Sequence, residues 1–186
     1  MTWSIHHLKF IAVLMLTAFV SIAHAEEQRQ LPIIGTFTVV GSNSCQANDG
    51  GYSAYPGLYA SGNIFAVSNS WESTMRFFAS GHVREESRGA FSVGGPQPVG
   101  TYEAICEYTS TPNGDRSFTL DGGCNARVTA GVAMGVTEAS TGIRFRVIPG
   151  LGSILLSEAG TNVETHTTSF GSQFRICLGH GVGVRQ

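Results

Sequence analysis

The stretch from Thr101 to Cys124 constrains the chain most. Cys106 and Tyr108 alternate with polar residues before Thr111-Pro112-Asn113-Gly114, and Phe118 and Leu120 do so after it. Alternation with period two marks a strand with one buried face. Pro112 presets φ at the first central turn position, Asn113 tolerates the second, and Gly114 takes a positive φ. These residues predict a three-residue hairpin loop with a bulge at the glycine. Thr111 then faces Asp115, Tyr108 faces Phe118 and Cys106 faces Leu120. A two-residue Asn-Gly turn would split the apolar face, since a one-residue slip moves every side chain across the sheet.

The same pattern recurs along the chain. Gly35 to Gly41 is the first strand, with Phe37 and Val39 on one face. Ser42 to Asn63 reads as a long loop holding Cys45, Tyr52, Tyr55 and Tyr59; loops of this length are usually functional or mobile. Ile64 to Ser68 is a short strand or a helical turn. Trp71–Ala79 and Val83–Val93 form a hairpin, followed by a proline-broken loop at 94–98. Ala126 to Thr137 reads as one strand with Val128, Val132 and Val136 on a face. Gly142–Ile148 and Ser153–Ser157 flank a turn, Val163–Thr168 and Gln173–Leu178 make the last hairpin, and 179–186 is a glycine-rich tail. The expected fold is all-β: an antiparallel up-and-down meander barrel of about eight to ten strands over 35–178. A β-sandwich is the alternative.

Residues 1–25 read as a secretory signal. Phe10 to Ile22 is an apolar run, and Ala23-His24-Ala25 is a cleavage site. The run is short for a membrane span, which needs roughly 20 apolar residues. Residues 26–34 follow as an N-terminal arm. Beyond residue 25 the chain has no lysine, and its ten arginines meet thirteen acids, a net of −3. This balance gives no footprint for nucleic acid. The missing lysine excludes Schiff-base chemistry and a P-loop. The expected location is periplasmic or secreted.

Four cysteines in an exported chain argue for two disulfides. Of three possible pairings, Cys45–Cys177 would join the two ends of the barrel. That leaves Cys106–Cys124, against which the hairpin register argues. With Cys106 facing Leu120, Cys124 lies four residues further on, about 13 Å away and beyond disulfide reach. Gly122-Gly123 would have to turn the chain back. A zinc site lacks any close cysteine pair.

No catalytic motif is present. There is no Gly-x-Ser-x-Gly, no two histidines stand at metal-ligand spacing, and no cofactor is implied. Asn48-Asp49-Gly50-Gly51 has too few acids for a calcium loop. The glycines of 179–183 are followed by no helix, as a nucleotide loop requires. His82, in a turn, and His180, in the tail, read as surface residues. His166 lies mid-strand and could face inward as a base or donor. Arg84, Glu86 and Arg88 share one strand face, with Glu85 and Ser87 on the other; the first set reads as solvated ion pairs. The candidate ligand-binding residues are Tyr102, His166, Glu85 and, on the long loop, Tyr59.

Gly35-Thr36-Phe37-Thr38-Val39-Val40-Gly41 leading to Cys45, Phe78-Ala79-Ser80-Gly81, and Val163-Glu164-Thr165 leading to Arg175-Ile176-Cys177 carry a resemblance to small exported β-rich proteins of proteobacteria. The resemblance brings no activity and no functional residue. It is lipocalin-like by architecture only, because Gly35-Thr36-Phe37 stands where many lipocalins have Gly-x-Trp. The function expected is a non-enzymatic barrel that binds a small apolar or amphipathic ligand. The alternatives are an envelope interaction module with a filled core, and an isomerase- or cyclase-type enzyme working in the lumen.

Overall fold

The computed structural model describes residues 33–53, 59–60, 62–94, 99–159 and 162–186. The expected signal, most of the N-terminal arm, and Tyr55 lie outside these residues. The chain forms β1 (Gly35–Asn48), β2 (Tyr52–Ser53), β3 (Tyr59–Ala60), β4 (Ile64–Phe77), β5 (His82–Val93), β6 (Gly100–Pro112), β7 (Phe118–Gly131), β8 (Thr137–Pro149), β9 (Ser153–Ala159), β10 (Glu164–Thr168) and β11 (Gly171–Arg185). There is no helix among the described residues, and thus none long and apolar enough to cross a membrane.

All strands but β2 and β3, which pair with each other, join one antiparallel sheet. The order is β1, β4, β5, β6, β7, β8, then β9 and β10, then β11, which pairs back to β1 and closes the ring. β9 and β10 both lie between β8 and β11, pairing with their opposite halves. The two short strands thus share one place in the wall, and nine strands make an eight-place, barrel-like ring. The expected antiparallel up-and-down meander is found, with nine strands closing in a ring.

Inward positions pack in one main cluster that includes Phe37, Val39, Met75, Phe77, Val83, Phe118, Leu120, Val147 and Ile154. Phe37 and Phe77 meet edge-on at 5.6 Å. A recurring device sets the inner surface. Trp71, Tyr102, Phe91 and Tyr108 each stand directly across from a glycine: Gly41, Gly89, Gly100 and Gly122. A Cβ at any of these glycines would come within 2.8 Å or less of its neighbours, with the facing aromatic residue among them. The glycines let large rings lie flat along the wall.

Four expectations change. First, β1 runs through Cys45 to Asn48, so the long loop starts later than the sequence reading placed it. Its inward residues there include Asn43, and a polar inward residue hides the alternation. Second, Ala126–Thr137 is not one strand. β7 ends at Gly131, and a turn with Gly131, Ala133 and Gly135 at positive φ leads into β8. Third, the 179–186 tail is the second half of β11, and it closes the barrel.

The fourth concerns the hairpin register. Cys106 faces Cys124, Tyr108 faces Gly122 and Thr111 faces Thr119. The loop is five residues, Asn113 to Ser117. The Asn113 amide N–H donates to the Ser117 carbonyl at 3.0 Å, and its side-chain amide donates to Ser117 Oγ at 3.0 Å. Asp115 accepts from the Ser117 N–H at 3.0 Å and pairs with Arg146 of β8. Gly114 does take a positive φ, but so does Arg116. The difference from the expected register is an even one, so Cys106, Tyr108, Phe118 and Leu120 still point inward together. The obstacle to a Cys106–Cys124 bond therefore vanishes. That disulfide and Cys45–Cys177 both form, each with Cα atoms 4.0 Å apart on facing strands. Gly122-Gly123 stays in β7 and marks a bulge toward β8.

Candidate lumen site

A cavity of about 330 Å³ lies inside the ring. Its lining runs from Tyr108 and the two disulfides toward the rim formed by Phe65, Val93, Ala133, Val136 and Phe170. That is the end of the barrel where β1 leads into β2 and β10 turns into β11. Trp71, Phe91, Tyr102 and Phe145 supply an aromatic surface. The Trp71 and Phe145 rings approach to 6.4 Å, and Phe91 and Tyr102 to 6.5 Å.

The polar surface is a connected chain. His166 Nδ1 lies 2.8 Å from Glu138 Oε1, and its Nε2 lies 2.8 Å from Glu164 Oε2. Arg175 donates to Glu138 Oε2 at 2.9 Å and to Gln173 at 3.3 Å. Asn69 donates to Asn43 at 2.8 Å, and Asn43 donates to Glu158 at 3.3 Å. Glu164 and His166 sit two residues apart on β10, so both project inward.

Charge in this chain is unequally settled. Burial works to raise the Glu138 carboxyl, but the His166 hydrogen bond and the Arg175 charge outweigh it and hold it below the usual carboxylate range. Glu164 is likewise lowered, with burial opposed by His166, by Glu158 and by Arg175. Each ring nitrogen of His166 thus faces a carboxylate oxygen. Glu158 is different. Burial, reinforced by the hydrogen bond to Glu164 and its charge, pushes Glu158 up to about 9. It therefore keeps its proton at neutral pH and shares it with Glu164.

On the opposite wall, Glu85 accepts a 3.0 Å hydrogen bond from Tyr108. Burial raises the Glu85 carboxyl. Burial also raises the Tyr102 and Tyr108 hydroxyls, with the Glu85 charge adding to it.

Three of the four residues proposed from sequence, Tyr102, His166 and Glu85, line this cavity. Tyr59 lies in β3, and its side chain is outside what the structure describes. Arg84 points outward and pairs with Glu86 and Glu107, each at 3.1 Å. His82 is also outside, 2.7 Å from Glu107, and His180 is exposed. Sequence reading missed Glu138, Glu158, Glu164, Arg175 and Asn43. The Glu164-x-His166 spacing was the one available signal, because a strand places such a pair on one face. Glu158, Glu164 and Cys177 bring possible ligand atoms within 4.8 Å of one another. Cys177 is bonded to Cys45, so this cluster has no thiolate for a metal. At Asn48, the side-chain oxygen accepts the Gly50 N–H at 3.1 Å, the hydrogen bond of an Asx-type turn.

Comparison of the chain with protein-family models, with curated proteins and with solved structures finds no match. The functional argument therefore rests on the geometry of the lumen.

Proposed function

We propose that the protein is an exported binding barrel that holds one small amphipathic ligand in its lumen without transforming it. The observation that carries this reading is the cavity. At about 330 Å³ it falls at the lower end of the range of small-molecule sites, roughly 300–1,000 Å³. Aromatic rings on one side and a hydrogen-bonding chain on the other match a molecule with an apolar body and a polar end. Export is supported by the two disulfides, which persist in oxidising compartments, and by the apolar run before Ala23-His24-Ala25. The lipocalin-like architecture supports the reading only as analogy.

Native mass spectrometry of the protein purified from its own host tests the proposal. A bound small molecule is expected, released on denaturation. Protein that arrives empty, and whose Trp71 fluorescence responds to no small amphipath, overturns it.

A second reading, an isomerase- or cyclase-type activity, draws on the proton shared by Glu158 and Glu164 beside His166. Recovery of the released molecule chemically unchanged after prolonged incubation with fresh protein favours binding alone. The interaction-module reading asks for a filled core, and the interior is filled at one end only.

A further inference from the structure

The lumen wall holds more acid than it has cations to answer. Glu85, Glu138, Glu158 and Glu164 line the cavity, and against them stand one arginine, Arg175, and one histidine, His166, among its lining residues. Both side chains are committed. Arg175 is bound to Glu138, and His166 bridges Glu138 and Glu164. Glu158 and Glu85 remain, 7% and 4% exposed, on walls across the ring from each other, and neither forms an ion pair with a described residue. Their contacts are with neutral groups or with acid: Asn43 and Glu164 for Glu158, Tyr108 for Glu85.

A buried carboxyl without a cation must keep its proton or meet a positive charge from elsewhere. The cavity offers a route for such a charge. Glu158 lies beside the aromatic surface. Phe145, one position beyond the Arg146–Ser157 pair of β8 and β9, comes level with it, and Phe145 in turn meets Trp71. Aromatic faces next to a carboxylate are the surroundings that hold an ammonium group out of water.

We infer that the lumen ligand is an amine: a protonated ammonium seated at Glu158, with its apolar body against Phe145 and Trp71. This inference rests on the ligand-binding reading and narrows it to a chemical class. The ammonium takes the place of the Glu158 proton, which leaves to solvent, so the site changes from a shared proton to an ion pair. The body has room for on the order of ten non-hydrogen atoms, since the cavity equals about eleven water volumes.

Phenethylamine, phenethyl alcohol and phenylacetate have nearly the same body and differ at the polar end. Their binding can be followed by Trp71 fluorescence, with Trp71→Phe as the control that assigns the signal. The amine is expected to bind about tenfold or more tighter than the alcohol, and the acid weaker than both. Glu158→Gln, which keeps the shape and removes the charge, is expected to weaken the amine more than the alcohol and so bring the two within about threefold. Should that variant fail to fold by circular dichroism, the wild-type amine-to-alcohol ratio decides by itself. Equal binding of alcohol and amine to the wild type, or tighter binding of the acid, overturns the amine assignment and leaves the ligand reading standing. No binding by any of the three, together with an empty native protein, overturns both.

Discussion

The two ends of the barrel are made from the same strands and have opposite interiors. Toward the β4–β5, β6–β7 and β8–β9 turns, inward positions carry Phe77, Val83, Phe118, Val147 and Ile154 and fill the ring. Toward the other end, the same inward rows carry Glu85, Glu158 and Glu138 and leave a cavity. The switch takes two residues on β5, from Val83 to Glu85, and two on β9, from Leu156 to Glu158. Packing thus stabilises one end, and its surplus lets the other hold buried acids and empty volume, each of which destabilises. The hollow end has a second support. Cys45–Cys177 and Cys106–Cys124 both border the cavity, so covalent bonds brace the walls where packing cannot.

The sharpest way to break this division is to remove the covalent support. Replacing Cys45 and Cys177 by serine opens a loop with a separation of 132 residues, and replacing Cys106 and Cys124 opens one of 18. In the chain-entropy model the first pair contributes about 5 kcal/mol and the second about 3 kcal/mol. Denaturant melts of the two double variants should show that order. The reverse order would mean that bracing the cavity wall locally matters more than joining the chain ends. Next in size is Leu120→Ala at the filled end. Leu120 has no exposed surface, and its truncation should destabilise by about 2–5 kcal/mol. Binding of phenethyl alcohol, read by Trp71, should change by less than about twofold. A loss of binding equal to the loss of stability would show that the two ends are not independent.

The contrast between the ends also explains what the sequence could disclose. At the filled end inward means apolar, and alternation correctly assigned Phe37, Val39, Tyr108, Phe118 and Leu120 to one interior. At the hollow end inward residues are Asn43, Glu158, Glu164 and Arg175, and the same rule places polar residues outside. That is why β1 seemed to stop near Gly41 and the Glu158–Glu164 pair went unnoticed. The tail was misread for a related reason. Its inward Gly179 and Gly183 show no apolar period, yet a Cβ at Gly183 would meet Ile154 at 2.6 Å, so the strand needs glycine there to pass. Glu85 was legible because it is the one charged residue on its face of β5, and His166 because it is a histidine placed mid-strand rather than in a turn or tail.

A gentler test of the hollow end is pH. Glu158 has its folded-state pKa raised, so the folded chain keeps a proton that the unfolded chain releases above the ordinary carboxylate range. Its contribution is full below that range and is lost as pH rises toward about 9. Glu138 and Glu164 are lowered, so theirs is present above the ordinary range and lost as pH falls through their folded values. Glu158→Gln removes the first dependence and keeps the second. Between about pH 5 and about pH 8 the variant should gain on the wild type by roughly 1–3 kcal/mol, below the limit of about 1.4 kcal/mol per pH unit because Glu164 shares the proton. Parallel stability curves for the two proteins would remove the buried, unanswered charge from the account of the lumen.

The smallest effect belongs to the turn at the filled end. Asn113 holds the five-residue loop by bonds to Ser117 and, through its oxygen, from Thr119 at 2.9 Å. Asn113→Ala should cost about 1 kcal/mol in a denaturant melt, the usual net worth of such bonds. The hairpin has two determinants of register, this loop at one end of the paired segment and the Cys106–Cys124 bond at its middle. If both set the same register, neither loss alone lets the strands slip. In the background lacking that disulfide, Asn113→Ala should cost more than it does alone, because the three-residue turn still favoured by Pro112 and Gly114 then becomes a competing pairing. It keeps Tyr108 and Phe118 on the inner face and so is not excluded by burial. Additive costs would mean that cross-strand contacts such as Tyr108 on Gly122 select the register unaided.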